Sequence, residues 1–175
     1  GNFVDTEREF FGQVEINTET GLIEKVSPKA KGGDYDLGSA LIFPGFVDVH
    51  VHAREDASGN ENYKEDYATA GKAAFSGGVV HFADMPNNPA PPLDEQGYAA
   101  KTELARKSPV GVTLYAGISP QSRPLKQKAP YKVYLGKSVG QIFFNSRQEL
   151  VNALEKYHGQ AVSFHVEDPE ILASR

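Results

Sequence analysis

The sequence has 175 residues, of which 39% are hydrophobic and 23% are charged, with 17 glycines and 11 prolines. This composition is ordinary for a globular protein and excludes a disordered chain, a collagen-like repeat and a coiled coil. Eighteen lysines and arginines against 23 aspartates and glutamates give a net charge of −5, and the basic residues form no cluster, so we expect no nucleic-acid partner.

The absence of cysteine excludes disulfide frameworks, thiolate metal centres and cysteine nucleophiles together. No apolar run approaches the ~18 residues that span a bilayer, and the first residues do not resemble a signal peptide. We therefore expect a soluble protein with no membrane partner. The first residue is Gly1 rather than methionine, which suggests that the start of the chain was processed or trimmed.

Residues 1–42 consist of short segments with strand character, separated by turn formers. Residues 13–16 and 22–26 have the pattern of strands, and residues 17–21 between them are rich in turn-forming side chains. Closely spaced strands joined by turns are typical of an antiparallel unit. The sequence therefore predicts a small β domain, or the N-terminal part of one, over residues 1–42.

From residue 43 onward, apolar segments of strand length alternate with segments of helical length. Near-continuous apolar runs are typical of parallel strands buried on both faces. The predicted strands are residues 43–51, 79–85, 110–118, 131–135 and 161–166. The predicted helices are residues 63–76, 94–107 and 147–157. Asn62 with Glu65 suggests a capping box before the first helix, and Ser146 suggests the start of the third.

This alternation indicates an α/β protein built from right-handed βαβ units. The proline-containing residues 119–130 are expected to form a loop instead of a helix. Five parallel strands fit either a doubly wound sheet or part of a (β/α)8 TIM barrel. A complete barrel needs ~250 residues, so a barrel in this chain would be partial.

A row of polar side chains ends the first of these predicted strands. His50 and His52 are two residues apart, so strand alternation places both on one face, where two imidazoles can bind one metal ion. Asp48 and Arg54 continue the row on that face. Two structural histidines at a strand end are the alternative. Because polar side chains in an apolar strand are costly unless they line a site, the row favours a metal site.

This segment resembles the amidohydrolase superfamily of metal-dependent hydrolases, and within it the dihydroorotases, whose first barrel strand has His-x-His followed two residues later by arginine. Further segments occur in the family's order at residues 63–67, 84–89, 131–136 and 162–168. The resemblance implies a (β/α)8 barrel with a flanking β domain. Residues 43–175 would be its first five βα units, truncated, and residues 1–42 part of the β domain.

The resemblance also implies two zinc ions, or similar divalent metals, held by His50, His52, Lys132 and His165. Lys132 would be carboxylated by carbon dioxide and bridge the two ions, because an ammonium group cannot bind a cation. Neutral imidazoles suit zinc, and two metal ions ~3.5–4 Å apart supply both an activated water and a polarised carbonyl. The alternatives are an ordinary lysine at position 132 and the nearby Lys137 as the bridging residue.

Arg54 and Asn87 resemble the residues with which this family binds the substrate carboxylate. Arginine presents a planar fork that matches a carboxylate with two hydrogen bonds, and Asn87 would add a neutral donor. The neighbouring Asn88 is an alternative to Asn87, and a purely structural turn residue is another. Hydantoinases and allantoinases usually lack arginine at the position of Arg54, which favours the dihydroorotases.

The implied reaction is the reversible interconversion of N-carbamoyl-L-aspartate and L-dihydroorotate in pyrimidine biosynthesis, by a cytoplasmic homo-oligomer that binds a small-molecule substrate. The family also requires a histidine after strand 6 and a catalytic aspartate after strand 8, which would lie beyond residue 175. We therefore expect this piece to be inactive alone, with the rest of the barrel supplied by further residues or another chain. Alternatives are a dihydropyrimidinase, hydantoinase or allantoinase, and a non-catalytic dihydroorotase-like assembly partner.

Overall fold

The computed structural model describes residues 1–29, 31–168, 171 and 174. The chain divides into two compact units, Gly1–Gly45 and Phe46–Arg175. The first unit contains only short strands: β1 (Asn2–Val4), β2 (Glu9–Phe11), β3 (Gln13–Ile16), β4 (Ile23–Ser27) and β5 (Leu41–Ile42). Strand β1 pairs antiparallel with β2 and parallel with β5, and β3 pairs antiparallel with β4.

The turn between β3 and β4 forms because Asn17 supplies an acceptor to its own turn. Its side-chain Oδ1 accepts hydrogen bonds from the backbone N–H groups of Glu19 and Thr20, each at 2.9 Å. A short amide side chain that bonds the backbone two or three residues ahead stabilises such a turn. The turn predicted for residues 17–21 therefore lies where the sequence placed it.

The second unit alternates strands with helices. Its elements are β6 (Phe46–Val51), α1 (Tyr67–Ser76), β7 (Val79–Asp84), α2 (Glu95–Ala105), β8 (Gly111–Leu114), β9 (Ala116–Gly117), β10 (Tyr131–Tyr134), α3 (Arg147–Leu154) followed by a 3-10 turn (Glu155–Tyr157), and β11 (Val162–His165). Residues 119–130 form a loop, as predicted. No helix in the described part of the chain has both the length and the apolar character needed to cross a membrane.

The strands of this unit form two parallel three-stranded sheets, β6-β7-β8 and β9-β10-β11. The two sheets meet at Tyr115, where the third predicted strand changes its partner. The backbone N–H of Tyr115 donates to the Asp84 carbonyl in β7. The N–H of Ala116 donates instead to the carbonyl of Pro130, just before β10, and that of Ile118 donates to the carbonyl of Lys132 in β10. The predicted α/β class with parallel strands is confirmed, and the third strand is split in two.

The first helix begins later than the sequence suggested. The Asp66 side chain accepts a hydrogen bond from the Thr69 backbone N–H at 2.8 Å, and Thr69 closes a capping box, so α1 starts at Tyr67. Asn62 instead accepts from the Asp56 backbone N–H, and the predicted Asn62–Glu65 capping box is wrong. The predicted cap of α3 is confirmed, because Ser146 accepts from the Glu149 backbone N–H at 3.2 Å.

Two apolar clusters hold the second unit together. One packs α1 and α2 against β6–β8 and is centred on the fully buried Tyr67 and Phe82. The other packs α3 against β9–β11 and is centred on Tyr131 and Val133. Burial of side chains of this size contributes ~1.5–3 kcal/mol each, so the helices are held on the sheets mainly by these contacts.

The two outer strands, β6 and β11, leave open edges. Among the described residues, β6 pairs only with β7, and β11 pairs only with β10. Apolar side chains of β6 are also exposed, with 60% of Val47 and 66% of Val49 accessible to solvent. Unpaired strand edges and exposed apolar surface both favour association with other chains.

We therefore expect residues 1–175, expressed alone, to associate in solution. Val49→Lys should shift the population towards monomers, because a charged side chain on an edge strand opposes pairing with another chain. Light scattering over a range of protein concentrations measures the effect. Phe75→Lys is the matched control, since Phe75 is also exposed, at 67%, but lies on α1 and not on a strand. A monodisperse monomer of the native chain would contradict the expectation.

Candidate metal and substrate site

A cavity of about 300 Å³ lies where the parallel strands of the second unit end. Ligands bind beyond the carboxyl ends of parallel strands because loops from several strands converge there. The residues that line the cavity are His50, His52, Arg54, Asn87, Tyr134, Gly136, Lys137, Ser138, His165 and Glu167. Five of the six site residues predicted from the sequence are therefore brought to one cavity.

A larger cavity of about 520 Å³ lies beside α2 and β8. Its charged lining residues are Arg106 and Lys128, and no histidine, aspartate or glutamate of the described residues lines it. It therefore lacks the imidazole and carboxylate ligands that a metal-dependent hydrolytic site needs. The smaller cavity is the candidate functional site.

Three histidines reach the candidate site from the two outer strands. His50 lies in β6, and His52 is the first residue after that strand. The centroids of their rings are 5.2 Å apart. His165 ends β11, where its ring is 5.5 Å from that of Tyr134, and its Nε2 is 3.2 Å from Glu167 Oε2. Across the described residues, no three side chains of His, Asp or Glu are grouped as a complete metal site. A metal centre here would therefore need a further donor.

His50 and His52 both have lowered pKa values. Partial burial lowers the pKa of the exposed His50 below the ordinary value of 6.5, and the positive charge of Lys132 lowers it further. Burial also lowers the pKa of His52, where Arg54 provides the nearby positive charge and the Asn87 side chain acts in the opposite direction. Both imidazoles are thus neutral at neutral pH, which is the form that binds a metal ion.

Lys132 lies beneath the cavity and does not line it. It is the second residue of β10, is 3% exposed, and donates a long hydrogen bond of 3.4 Å from Nζ to Ser163 Oγ on β11. Burial lowers the pKa of its ammonium group below 10.5. A lowered pKa favours the neutral amine, which is the nucleophilic form of lysine. Lys137, the rival in the sequence, is exposed at the cavity.

Arg54 and Asn87 face each other across the turns that follow β6 and β7. Arg54 Nη1 donates to the Asn87 backbone carbonyl at 3.3 Å. Asn87 Nδ2 donates to Ser138 Oγ at 3.3 Å, and the Asn87 side chain also interacts with His52, whose pKa it raises. Asn88 points away from the cavity and donates to the Arg54 carbonyl at 3.0 Å. Asn87 is therefore the asparagine that a ligand in the cavity can contact.

Arg54 has an unusual backbone conformation. Its φ is +59°, and no other non-glycine residue in the described ranges has a positive φ. A side chain other than glycine adopts this left-handed region only when its surroundings hold it there. The turn that directs Arg54 towards the cavity is therefore imposed by tertiary contacts.

Four cavity residues were not singled out from the sequence: Tyr134, Gly136, Ser138 and Glu167. Tyr134 is 3% exposed, its hydroxyl has no hydrogen-bond partner among the described residues, and burial raises its pKa, so it remains a donor. Its spacing of two from Lys132 on the same strand could have placed it on the same face. Glu167 follows β11 and pairs with His165. Asp48, expected beside the histidines, is exposed and accepts a hydrogen bond from the His50 backbone N–H.

The comparison of sequences identifies the family to which the chain belongs. Residues 41–171 match the model of the amidohydrolase family, and the chain belongs to that family. It is similar to the dihydroorotase of Pyrococcus furiosus, with 31% identity over 98% of this chain and 40% of that protein. It is also similar to the dihydroorotase of Pyrococcus abyssi, with 32% identity over 90% of this chain and 38% of that protein.

Solved structures show the same fold at lower identity. An L-hydantoinase (dihydropyrimidinase) from Arthrobacter aurescens aligns with a TM-score of 0.78 and 20% identity, over 98% of this chain and 40% of that one. A D-hydantoinase (dihydropyrimidinase) from a Thermus species aligns with a TM-score of 0.66 and 19% identity, over 99% and 40%. The chain thus spans about two fifths of the length of the relatives that it matches.

The lowered histidine pKa values predict an acid-sensitive fold. Because the folded state favours neutral His52, the unfolded chain binds more protons once the pH falls below about 6.5. The free energy of unfolding of the metal-free chain should therefore decrease as the pH falls from that value through the folded-state pKa. His52→Gln should flatten this decrease in denaturant titrations. His158→Gln, at an exposed position, is the control, and an unchanged slope in His52→Gln would contradict the assignment.

Proposed function

We propose that the protein containing this chain is a dihydroorotase, which interconverts N-carbamoyl-L-aspartate and L-dihydroorotate in pyrimidine biosynthesis. The observation that carries the proposal is the placement of Arg54 and Asn87 beside His50, His52 and His165 in one cavity. An arginine fork beside metal-binding side chains suits a cyclic amide that bears a carboxylate. Similarity to dihydroorotases over nearly the whole chain supports the same substrate.

The proposal includes the architecture of the whole protein. Residues 43–175 would be the first five βα units of a (β/α)8 barrel, and residues 1–42 the N-terminal part of its small β domain. The remaining strands, from the same or another chain, would pair with the open edges of β6 and β11. We place the protein in the cytoplasm as a homo-oligomer with a small-molecule substrate.

The three histidines of the cavity, with Lys132 beneath it, would supply part of the donor set for two zinc-like ions. His50 and His52 would hold one ion, His165 would help to hold the other, and Lys132, carboxylated, would bridge them. Two observations support the fit: both β6 imidazoles favour the neutral form, and burial lowers the Lys132 pKa towards the amine that carbon dioxide can modify. When bound, the two ions would supply an activated water and polarise the amide carbonyl.

The residues of this chain would bind and orient the substrate. The Arg54 guanidinium would donate two parallel hydrogen bonds to the substrate carboxylate, which fixes the plane of the ring. The buried Asn87 Oδ1, beside His52, would accept a hydrogen bond from a ring N–H. The reacting amide would then face the histidine side of the cavity. The proton-transferring aspartate expected for this family would come from outside residues 1–175.

A hydantoinase or dihydropyrimidinase is the second candidate, because the solved structures with this fold include those enzymes. Their substrates resemble dihydroorotate but carry no carboxylate on the ring, so these enzymes need no residue that binds one. Turnover of dihydroorotate by the intact protein, compared with turnover of hydantoin and dihydrouracil, separates the candidates. A preference for the uncharged rings would favour the second.

The intact protein should contain about two zinc-like ions per subunit when it is purified without chelator. His52→Asn and Lys132→Met should each lower the metal content measured by elemental analysis, because each variant removes a donor. His158→Asn, at the exposed end of the 3-10 turn, should leave it unchanged. A metal-free protein that still converts dihydroorotate would refute this assignment.

Arg54→Lys should lower kcat/KM for dihydroorotate by about tenfold or more, which corresponds to ~1.4 kcal/mol of transition-state binding. The reason is that an ammonium group cannot reproduce the two parallel hydrogen bonds of the guanidinium fork. Arg106→Lys, which alters an arginine at the exposed end of α2, is the control. Unaltered kinetics of Arg54→Lys, at unchanged metal content, would place Arg54 outside the substrate site.

A further inference from the structure

A buried ion pair lies directly behind the Arg54 turn. Asp84, at the end of β7, is 0% exposed, and Lys101, on α2, is 2% exposed. Their charged groups are 2.8 Å apart. Asp84 also accepts hydrogen bonds from the Tyr67 hydroxyl at 2.7 Å and from the Ala53 backbone N–H at 2.8 Å. Two full charges are costly to bury, so a pair at this place requires an explanation beyond stability.

Lys101 connects this pair to Arg54. Its Nζ donates to the Met85 carbonyl at 3.2 Å and to Asn88 Oδ1, and Asn88 Nδ2 donates to the Arg54 carbonyl at 3.0 Å. The Asn88 amide is therefore oriented from behind by the ammonium group. The ion pair thus holds the turn at two points. Asp84 accepts from the backbone N–H of Ala53, and Asn88, oriented by Lys101, donates to the carbonyl of Arg54.

These two anchors flank the strained part of the chain. Arg54 has φ of +59°, a conformation that a residue other than glycine keeps only when neighbouring contacts impose it. The hydrogen bonds at Ala53 and Arg54 are such contacts. Without them the turn can relax to negative φ, which would redirect the Arg54 side chain away from the cavity.

We propose that Lys101 is a positioning residue for the substrate-carboxylate site. It lies on α2, does not line the cavity, and acts by holding the Asn88 amide against the Arg54 turn. Recognition of the substrate carboxylate thus depends on a helix that does not contact the substrate. The inference rests on the proposed dihydroorotase function and adds to it the residue that fixes Arg54 in place.

A double-mutant cycle in the intact, metal-loaded protein tests this assignment. Lys101→Met is made together with Asp84→Asn, because removal of both charges avoids an unpaired buried carboxylate. Asn88→Ala is a second variant, which cuts the connection to Arg54 and leaves the ion pair in place. Each is measured with dihydroorotate in the native background and in the Arg54→Lys background.

In the native background, each variant should raise KM by about tenfold. In the Arg54→Lys background, each should raise KM by less than about twofold, because the guanidinium that the replaced residues position is already absent. Metal content should not change. Lys156→Met is the control: it removes a lysine whose ammonium group donates to the Pro120 carbonyl and not to residues of the Arg54 turn. Its effect should be small and equal in both backgrounds.

Equal losses in the two backgrounds would overturn the proposal, because they would show a general effect on folding. Unchanged KM in both variants would overturn it as well. Failure of the proposed function is distinguishable, since it would be visible in the native protein as absence of dihydroorotate turnover, before any variant is compared.

Discussion

The half of the second unit that contains β6–β8 depends on the burial of one carboxylate. Asp84 has no contact with solvent, and a carboxylate in that position must be matched by donors and a counter-charge. The donors come from three separate elements: Tyr67 at the start of α1, Lys101 on α2, and the backbone of Ala53 just after β6. Any other packing of these elements would leave the charge uncompensated, so this requirement fixes how both helices and the end of β6 meet.

Positive charge beside the histidines adds to the effect of burial. Arg54 lowers the pKa of His52 and Lys132 lowers that of His50, so both imidazoles are neutral at neutral pH. Of these two basic residues, Arg54 is the one that lines the cavity, where its charge favours an anionic ligand.

Much of the fold could be predicted from the sequence because buried parallel strands and capping side chains have strong local patterns. The order of strands and the cap at Ser146 are local features of this kind. The start of α1 was misplaced because Asn62 and Asp66 are both good caps, and only tertiary contacts decide between them. The split of the third strand at Tyr115 depends on partners that are distant in sequence. The pairing of His50 with His52 followed from strand alternation alone.

The structural support of the site could not be predicted in the same way. Lys101 is a lysine on a helix, and most such lysines are solvated, so its burial against Asp84 has no local signal. The left-handed φ of Arg54 is likewise decided by partners far along the chain. For position 54, backbone preference and chemistry conflict: glycine would relieve the strain but would lack the guanidinium. A substitution that improves stability at this position would therefore remove the guanidinium group that lines the cavity, so stability and the proposed recognition of a carboxylate oppose each other there.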